Sequence, residues 1–265
     1  MKKKLRLLSK ASLFAIVLVL LISWTQAYKA KREFYQLTVY HFTTTEQEKI
    51  LDNYLKNALL PALHKIYISN IGVFKAISND TAAAKKIYVY YPVKSLDKVN
   101  EIPEKLAADN SYQTAGAEYI NASYTAPPYT RMEIILLKAF PLAPQMNLPV
   151  LKSEKKERVY ELRSYESYTE KIFKNKVHMF NEGDEIGLFK RLNFNAVFYS
   201  EVIAGSKMPN LMYMTCFENK ADRDEHWKNF SADPFWKKLS AMPEYQKNVS
   251  RNEQIFLRPA DYSDF

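Results

Sequence analysis

The chain has 265 residues, 47% of them hydrophobic and 25% charged, with a formal net charge of +9. That apolar share supports a true core and excludes a disordered chain. The charge does not point to nucleic acid: Lys2, Lys3, Lys4, Arg6 and Lys10 carry five positives and residues 1–27 hold no acid, so the rest keeps 9 − 5 = +4, spread thinly, where a basic face would be needed.

The N-terminus accounts for the imbalance. After Lys10 comes an apolar run from Ala11 to Trp24 and then Thr25-Gln26-Ala27. This is the order of a secretory signal of the Sec type over residues 1–27. The run is shorter than the ~20 residues of a spanning helix. Trp24 is bulky beside the small-residue exit, so an uncleaved N-terminal anchor stays open as the alternative. Both readings place the folded part outside the cytoplasm, as a periplasmic or extracellular protein, and only the anchor would bring it to a membrane. A single cysteine, Cys216, allows no internal disulfide, so the core alone must hold the fold. Its neighbours in Tyr213-Met214-Thr215-Cys216-Phe217 make it a small strand residue rather than a nucleophile.

From residue 34 the pattern becomes structural. FYQLTVYHF at 34–42 alternates as a strand does. Residues 46–67 carry the apolar stripe of an amphipathic helix, with Thr45 and Glu48 as a capping box. Short strands follow near 71–77 and 86–92, the second ended by Pro92. Ser95 opens a helix running to Ala108. The tract 110–130, with Pro127-Pro128, gives no clear element. Met132-Glu133-Ile134-Ile135-Leu136-Leu137 reads as a closing strand whose continuous apolarity suits a central place.

Residues 141–157, with Pro141, Pro144 and Pro149 ahead of a mixed-charge run, read as a linker. The order then repeats: a strand at 158–165, a helix from Thr169 interrupted near Gly183 and Gly187, strands near 194–203 and 210–217, helical residues 219–241, and a last strand at 252–258. Residue identities repeat with it. Tyr35, Leu37 and Tyr40 match Tyr160, Leu162 and Tyr165; Val73-Phe74 matches Val197-Phe198; Tyr88 matches Tyr213; and Ala108-Asp109 matches Ala232-Asp233, all at offsets of 124 or 125 residues. The sequence therefore predicts an α+β chain of two tandem ferredoxin-like (β-α-β-β-α-β) modules, 28–140 and 158–265. Each has one apolar sheet face to hide, and pairing the two faces predicts an α/β-barrel within one molecule.

The stretches YELRSY at 160–165, NKADRDEHW at 219–227 and SADPFWKKL at 231–239 resemble the NIPSNAP family of the dimeric α/β-barrel superfamily. The resemblance is clearest over 158–258 and traceable over 34–140, where Gln36 and Thr38 stand in place of Glu161 and Arg163. It implies tandem ferredoxin-like modules and no agreed reaction. Haem proteins and small oxygenases among related barrels are an analogy of fold only.

The candidate site residues fall in the second module. Glu161, Arg163 and Tyr165 share one face of their strand. If Tyr160 and Leu162 meet the helices, this trio points between the two sheets, as an ion-pair network or a polar pocket. Arg223 and His226 share one side of the later helix, with Trp236 shortly after, as a ligand clamp or as packing. His178 is the candidate for an axial haem ligand; otherwise no cofactor is expected. His and Cys spacing gives no metal site, and no Gly-rich phosphate loop or Gly-x-Ser-x-Gly elbow is present. Two functions stay open: a pocket in the second module for a small apolar or aromatic ligand, with or without oxidative chemistry, or a non-catalytic module of interaction or self-association, including a homo-oligomer. Whether the protein is an enzyme is left undecided by the residues.

Overall fold

In the computed structural model, residues 30–265 are described; the segment read as a signal or anchor lies outside them. Strand β1 (Phe34–Phe42) runs into α1 (Thr45–Tyr54), which continues through a wider π-helical turn at Leu55–Leu59 into α2 (Leu60–Lys65). The cap sits one residue earlier than the sequence suggested: Thr44 accepts from Gln47 N–H and Gln47 reaches back, a capping box built on Thr44 and Gln47. Three threonines in a row make the two registers nearly equivalent on paper.

Strands β2 (Gly72–Ala76) and β3 (Lys85–Val93) follow, and β3 runs one residue past Pro92. Next come α3 (Leu96–Ala107), the short helices α4 (Asn110–Ala115) and α5 (Ala117–Ile120) in the tract that carried no clear signal, and β4 (Arg131–Ala139). Residues 141–157 hold no helix or strand, only a single bridge from Phe140 to Ala143.

The second half repeats the order. It contains β5 (Val159–Glu166), α6 (Glu170–Asn181), α7 (Glu185–Arg191), β6 (Ala196–Ala204), β7 (Asn210–Phe217), α8 (Lys220–Ala232), α9 (Pro234–Ala241) and β8 (Arg251–Pro259). The helix expected from Thr169 is α6, and Thr169 caps it. The break between α6 and α7 falls at Asp184, which takes a left-handed φ of 59°, while Gly187 lies inside α7. The helical stretch 219–241 is two helices, because Asp233 leaves the helical region and its carboxylate caps α9. Asp109 does the same for α4.

All eight strands close one antiparallel barrel in the order β1-β3-β2-β8-β5-β7-β6-β4. Each half contributes its strands in the sequence fourth, first, third, second, and the halves join at the β2–β8 and β4–β6 seams. Arg32–Phe265 thus form one unit with a shared core. Because strand side chains alternate, each strand gives every second residue to the barrel interior. Tyr35, Leu37, Tyr88, Tyr90 and Leu137 from the first half meet Tyr160, Leu162, Phe198, Met214 and Cys216 from the second. Cys216 is a buried core thiol, as expected, and burial pushes its pKa up. The outer sheet surface is covered by helices in two separate aromatic and aliphatic clusters, one per half.

Candidate functional site

The parity of β5 decides where its charged residues go. Tyr160 and Leu162 point into the barrel, not toward the helices. Glu161, Arg163 and Tyr165 therefore face the helix layer, opposite to the arrangement that would have put them between the sheets. The physical reason is the sharing of one interior by eight strands: a carboxylate and a guanidinium there would have only aromatic and aliphatic neighbours. On the helix side they find partners.

Glu161 is completely buried and accepts five hydrogen bonds. Arg163 Nε donates at 2.6 Å, Arg223 Nε and its terminal nitrogen at 2.7 and 3.0 Å, Trp227 Nε1 at 2.8 Å, and Gln254 completes the shell. Burial opposes ionisation of Glu161, but Arg223 and Arg163 outweigh it and hold the carboxyl below its usual range. The Arg163 guanidinium lies 3.8 Å from the centre of the Trp227 ring and donates to Tyr165 Oη, which in turn bonds Tyr213 Oη. Arg223 also donates to Asp224 at 2.9 Å, so the cluster is tied to the exposed side of its helix.

The other candidates lie apart from it. His226 donates from Nδ1 to the Asp222 carbonyl, one turn back, and packs against Phe194 and Phe217. Trp236 packs on Phe230, with ring centres 4.6 Å apart. His178 shares a hydrogen bond with Tyr245 Oη at 2.9 Å. So the structure joins Glu161, Arg163, Tyr165 and Arg223, and leaves His178, His226 and Trp236 outside. None of the seven lines the cavities described below. Among the described residues no cluster of His, Cys, Asp and Glu could hold a metal ion.

The first half holds an open space between its sheet and its helices. Between the outer face of β1 and β4 and the helices α3, α4 and α5 is a cleft of about 500 Å³, within the usual range of ligand sites. Gln36, Thr38 and Tyr40 of β1 form its floor with Met132, Ile134 and Leu136 of β4. Val99, Ile102, Pro103 and Leu106 of α3 form the opposite wall, and Tyr54, Tyr91, Tyr112 and Gln113 close it. No charged side chain among the described residues lines it. Burial pushes the phenols of Tyr40, Tyr54 and Tyr91 well above their ordinary pKa, so they stay protonated. Tyr54 and Tyr112 share a hydrogen bond at 2.9 Å.

The continuous apolar run of β4 was the signal for this cleft. It does not mark a strand buried on both faces: Ile135 and Leu137 face the barrel, while Met132 and Ile134 remain 41% and 48% exposed at the cleft. Residue type points instead to the other half, where Glu161 and Arg163 carry the charge. The second half does carry a recess of about 670 Å³, between residues 142–150 and the α7 and β6 surface. Residues 142–150 form its outer wall, with Val150 91% exposed.

Comparison with known proteins adds the following. The family model described as NIPSNAP matches residues 160–264. Search among curated proteins finds no match. Among solved structures, a "putative monooxygenase" from Lactobacillus acidophilus NCFM is similar with a TM-score of 0.54 at 12% identity, covering 86% of this chain and 94% of that one. A second protein so described, from Fusobacterium nucleatum subsp. nucleatum, gives 0.54 at 5% identity, covering 87% and 93%. An anthrone oxidase-like protein gives 0.50 at 7% identity, covering 88% and 93%. At such identities the likeness is one of fold.

Proposed function

We propose, for a chain that carries a NIPSNAP domain at residues 160–264, that the first half binds a neutral, largely apolar small molecule in its sheet–helix cleft. The observation that carries this is the uncharged lining of a cavity of about 500 Å³. A carboxylate, phosphate or ammonium ligand would find no countercharge there and would lose its hydration without return. Phenol and amide groups can instead answer a carbonyl, ether or hydroxyl on an aromatic or aliphatic body.

The two halves divide the work in this reading. They are tandem ferredoxin-like modules; the second has its sheet–helix space filled by the Glu161 network and supplies the other side of the barrel. This moves the ligand from the second module, where residue type alone had placed it, to the first. Chemistry on the bound molecule is a further step of the same proposal, favoured by the monooxygenase and oxidase names of the similar folds. The phenols of Tyr40, Tyr54 and Tyr91 stay protonated, so the cleft walls can donate a hydrogen bond but offer no carboxylate or imidazole base. Export by residues 1–27 belongs to the proposal as well; a mature protein beginning at Tyr28 would support cleavage.

The test is mass spectrometry and absorption of the protein purified from its native compartment, followed by titration with the neutral fluorescent probe N-phenyl-1-naphthylamine. A small neutral molecule released on denaturation, or saturable probe binding, is expected. A protein that is empty and does not take up the probe would favour the second reading, an interaction module presenting the exposed Met132 and Ile134 to another chain.

A further inference from the structure

Helix α3 walls two cavities. Ile102 lines the cleft just described and also a separate cavity of about 440 Å³ at the end of β3. The second cavity has an apolar floor of Ile66, Ile68, Val93 and Met146, and its rim is charged.

Three observations there converge. The first is backbone strain at Tyr67, where α2 ends. Tyr67 N–H donates to the His64 carbonyl at 2.9 Å and Ile68 N–H to the Leu63 carbonyl at 3.0 Å, the pattern of a helix end whose left-handed residue is usually glycine. Tyr67 occupies that position with φ 64°, a costly conformation for a residue with a Cβ. The second is that this tyrosine is 90% exposed, so the fold receives little packing in exchange, although the residue lines the cavity. Strain kept without a structural return points to contact with something else. The third is charge. Lys98 and Lys105 are both held by Glu101, at 2.7 and 3.0 Å, and the Glu33 carboxylate accepts from Met146 N–H. Lys94, exposed at the rim, makes no ion pair among the described residues.

We propose that this cavity binds an amphipathic monoanion: a carboxylate placed at Lys94, its aliphatic or aromatic body on the Ile68–Val93–Ile102 floor, with Tyr67 supplying aromatic cover. The site is distinct in charge from the neutral cleft on the other side of α3, and it stands whether or not that cleft is occupied.

The test is calorimetric titration of the full chain with decanoate, using decanol and decyltrimethylammonium as neutral and cationic counterparts. Saturable decanoate binding is expected, at least about five-fold tighter than either counterpart and weakened at high salt. Lys94→Glu should lower decanoate affinity by about five-fold or more. Tyr67→Gly should weaken binding while raising the melting temperature, a combination that a merely structural tyrosine would not give. Absence of decanoate binding, equal binding of decanol, or an unchanged affinity in Lys94→Glu would overturn the proposal. A Tyr67→Gly chain that melts earlier than the parent would overturn the role of strain in it.

Discussion

Arg223 and Val99 stand at the same step of their helices, each four residues beyond its N-cap, Asn219 and Ser95. Arg223 reaches down to Glu161; Val99 stops short and lines the cleft. The same offset sets Trp227 against Pro103, and the strand offset sets Glu161 against Gln36 and Arg163 against Thr38. Four large or charged side chains in one half thus correspond in position to four smaller neutral ones in the other. The cleft is the volume that those groups fill elsewhere.

Restoring the bulk should close it. In Pro103→Trp the indole takes the place that Trp227 holds in the second half, and loss of the proline returns an N–H to the interior of α3. A helix-interior proline costs about 3 kcal/mol, so the variant is expected to unfold at equal or higher urea concentration than the parent. Binding of N-phenyl-1-naphthylamine should fall at least about ten-fold. A variant that is stable and binds the probe unchanged would remove the cleft from the proposed function.

Glu161 makes a prediction in pH. Its folded pKa lies below the ordinary value of 4.5, so the carboxylate contributes stability that is fully present above pH about 4.5 and is lost as pH falls through the lowered folded value. Glu161→Gln should remove this dependence and leave Arg163 and Arg223 without their anion, at a cost of about 3–5 kcal/mol near neutrality. Urea midpoints recorded from pH 3 to 7 check both statements: a steep acid limb for the parent and a flatter, lower curve for the variant.

Arg163 separates structure from binding. Its guanidinium spans Glu161, Tyr165 and the Trp227 ring, and all of these lie in the half without the proposed cleft. Arg163→Met should lower stability by about 2–4 kcal/mol and leave probe affinity unchanged, measured by urea unfolding and fluorescence titration on the same sample. A selective loss of affinity would return the ligand to the second half.

How much of this was legible beforehand follows from the kind of signal each feature carries. Alternation and apolar stripes located the strands and main helices, because burial imposes period 2 or 3.6 directly on the residues. The face of β5 could not be read so, since Tyr160 and Leu162 are as suited to a helix layer as to a barrel interior; only the closed pairing of eight strands fixes the parity. The helices at Asn110–Ala115 and Ala117–Ile120 leave no stripe because they are too short for one, and the first of them depends on the Asp109 cap. The cleft was missed for a related reason. A cavity leaves no residue of its own, and its trace was the exposed apolar run of β4, which a buried central strand would also have produced.

A buried ion pair joins α6 to α7 without any sequence pattern that announces it. Lys176 on α6 and Glu185 on α7 are 5% and 3% exposed and meet at 3.0 Å, with the lysine nitrogen 4.7 Å from the centre of the Phe180 ring. They hold the two helices across the left-handed Asp184. Removing one charge strands the other, so Lys176→Met alone should cost about 3–5 kcal/mol. Replacing both, with Lys176→Met and Glu185→Leu together, removes two desolvated charges at once and should recover most of that loss or exceed the parent's stability. A double-mutant cycle by urea unfolding measures the coupling. If the double variant is as unstable as the single one, the pair fixes the α6–α7 turn through its geometry and not merely through mutual neutralisation.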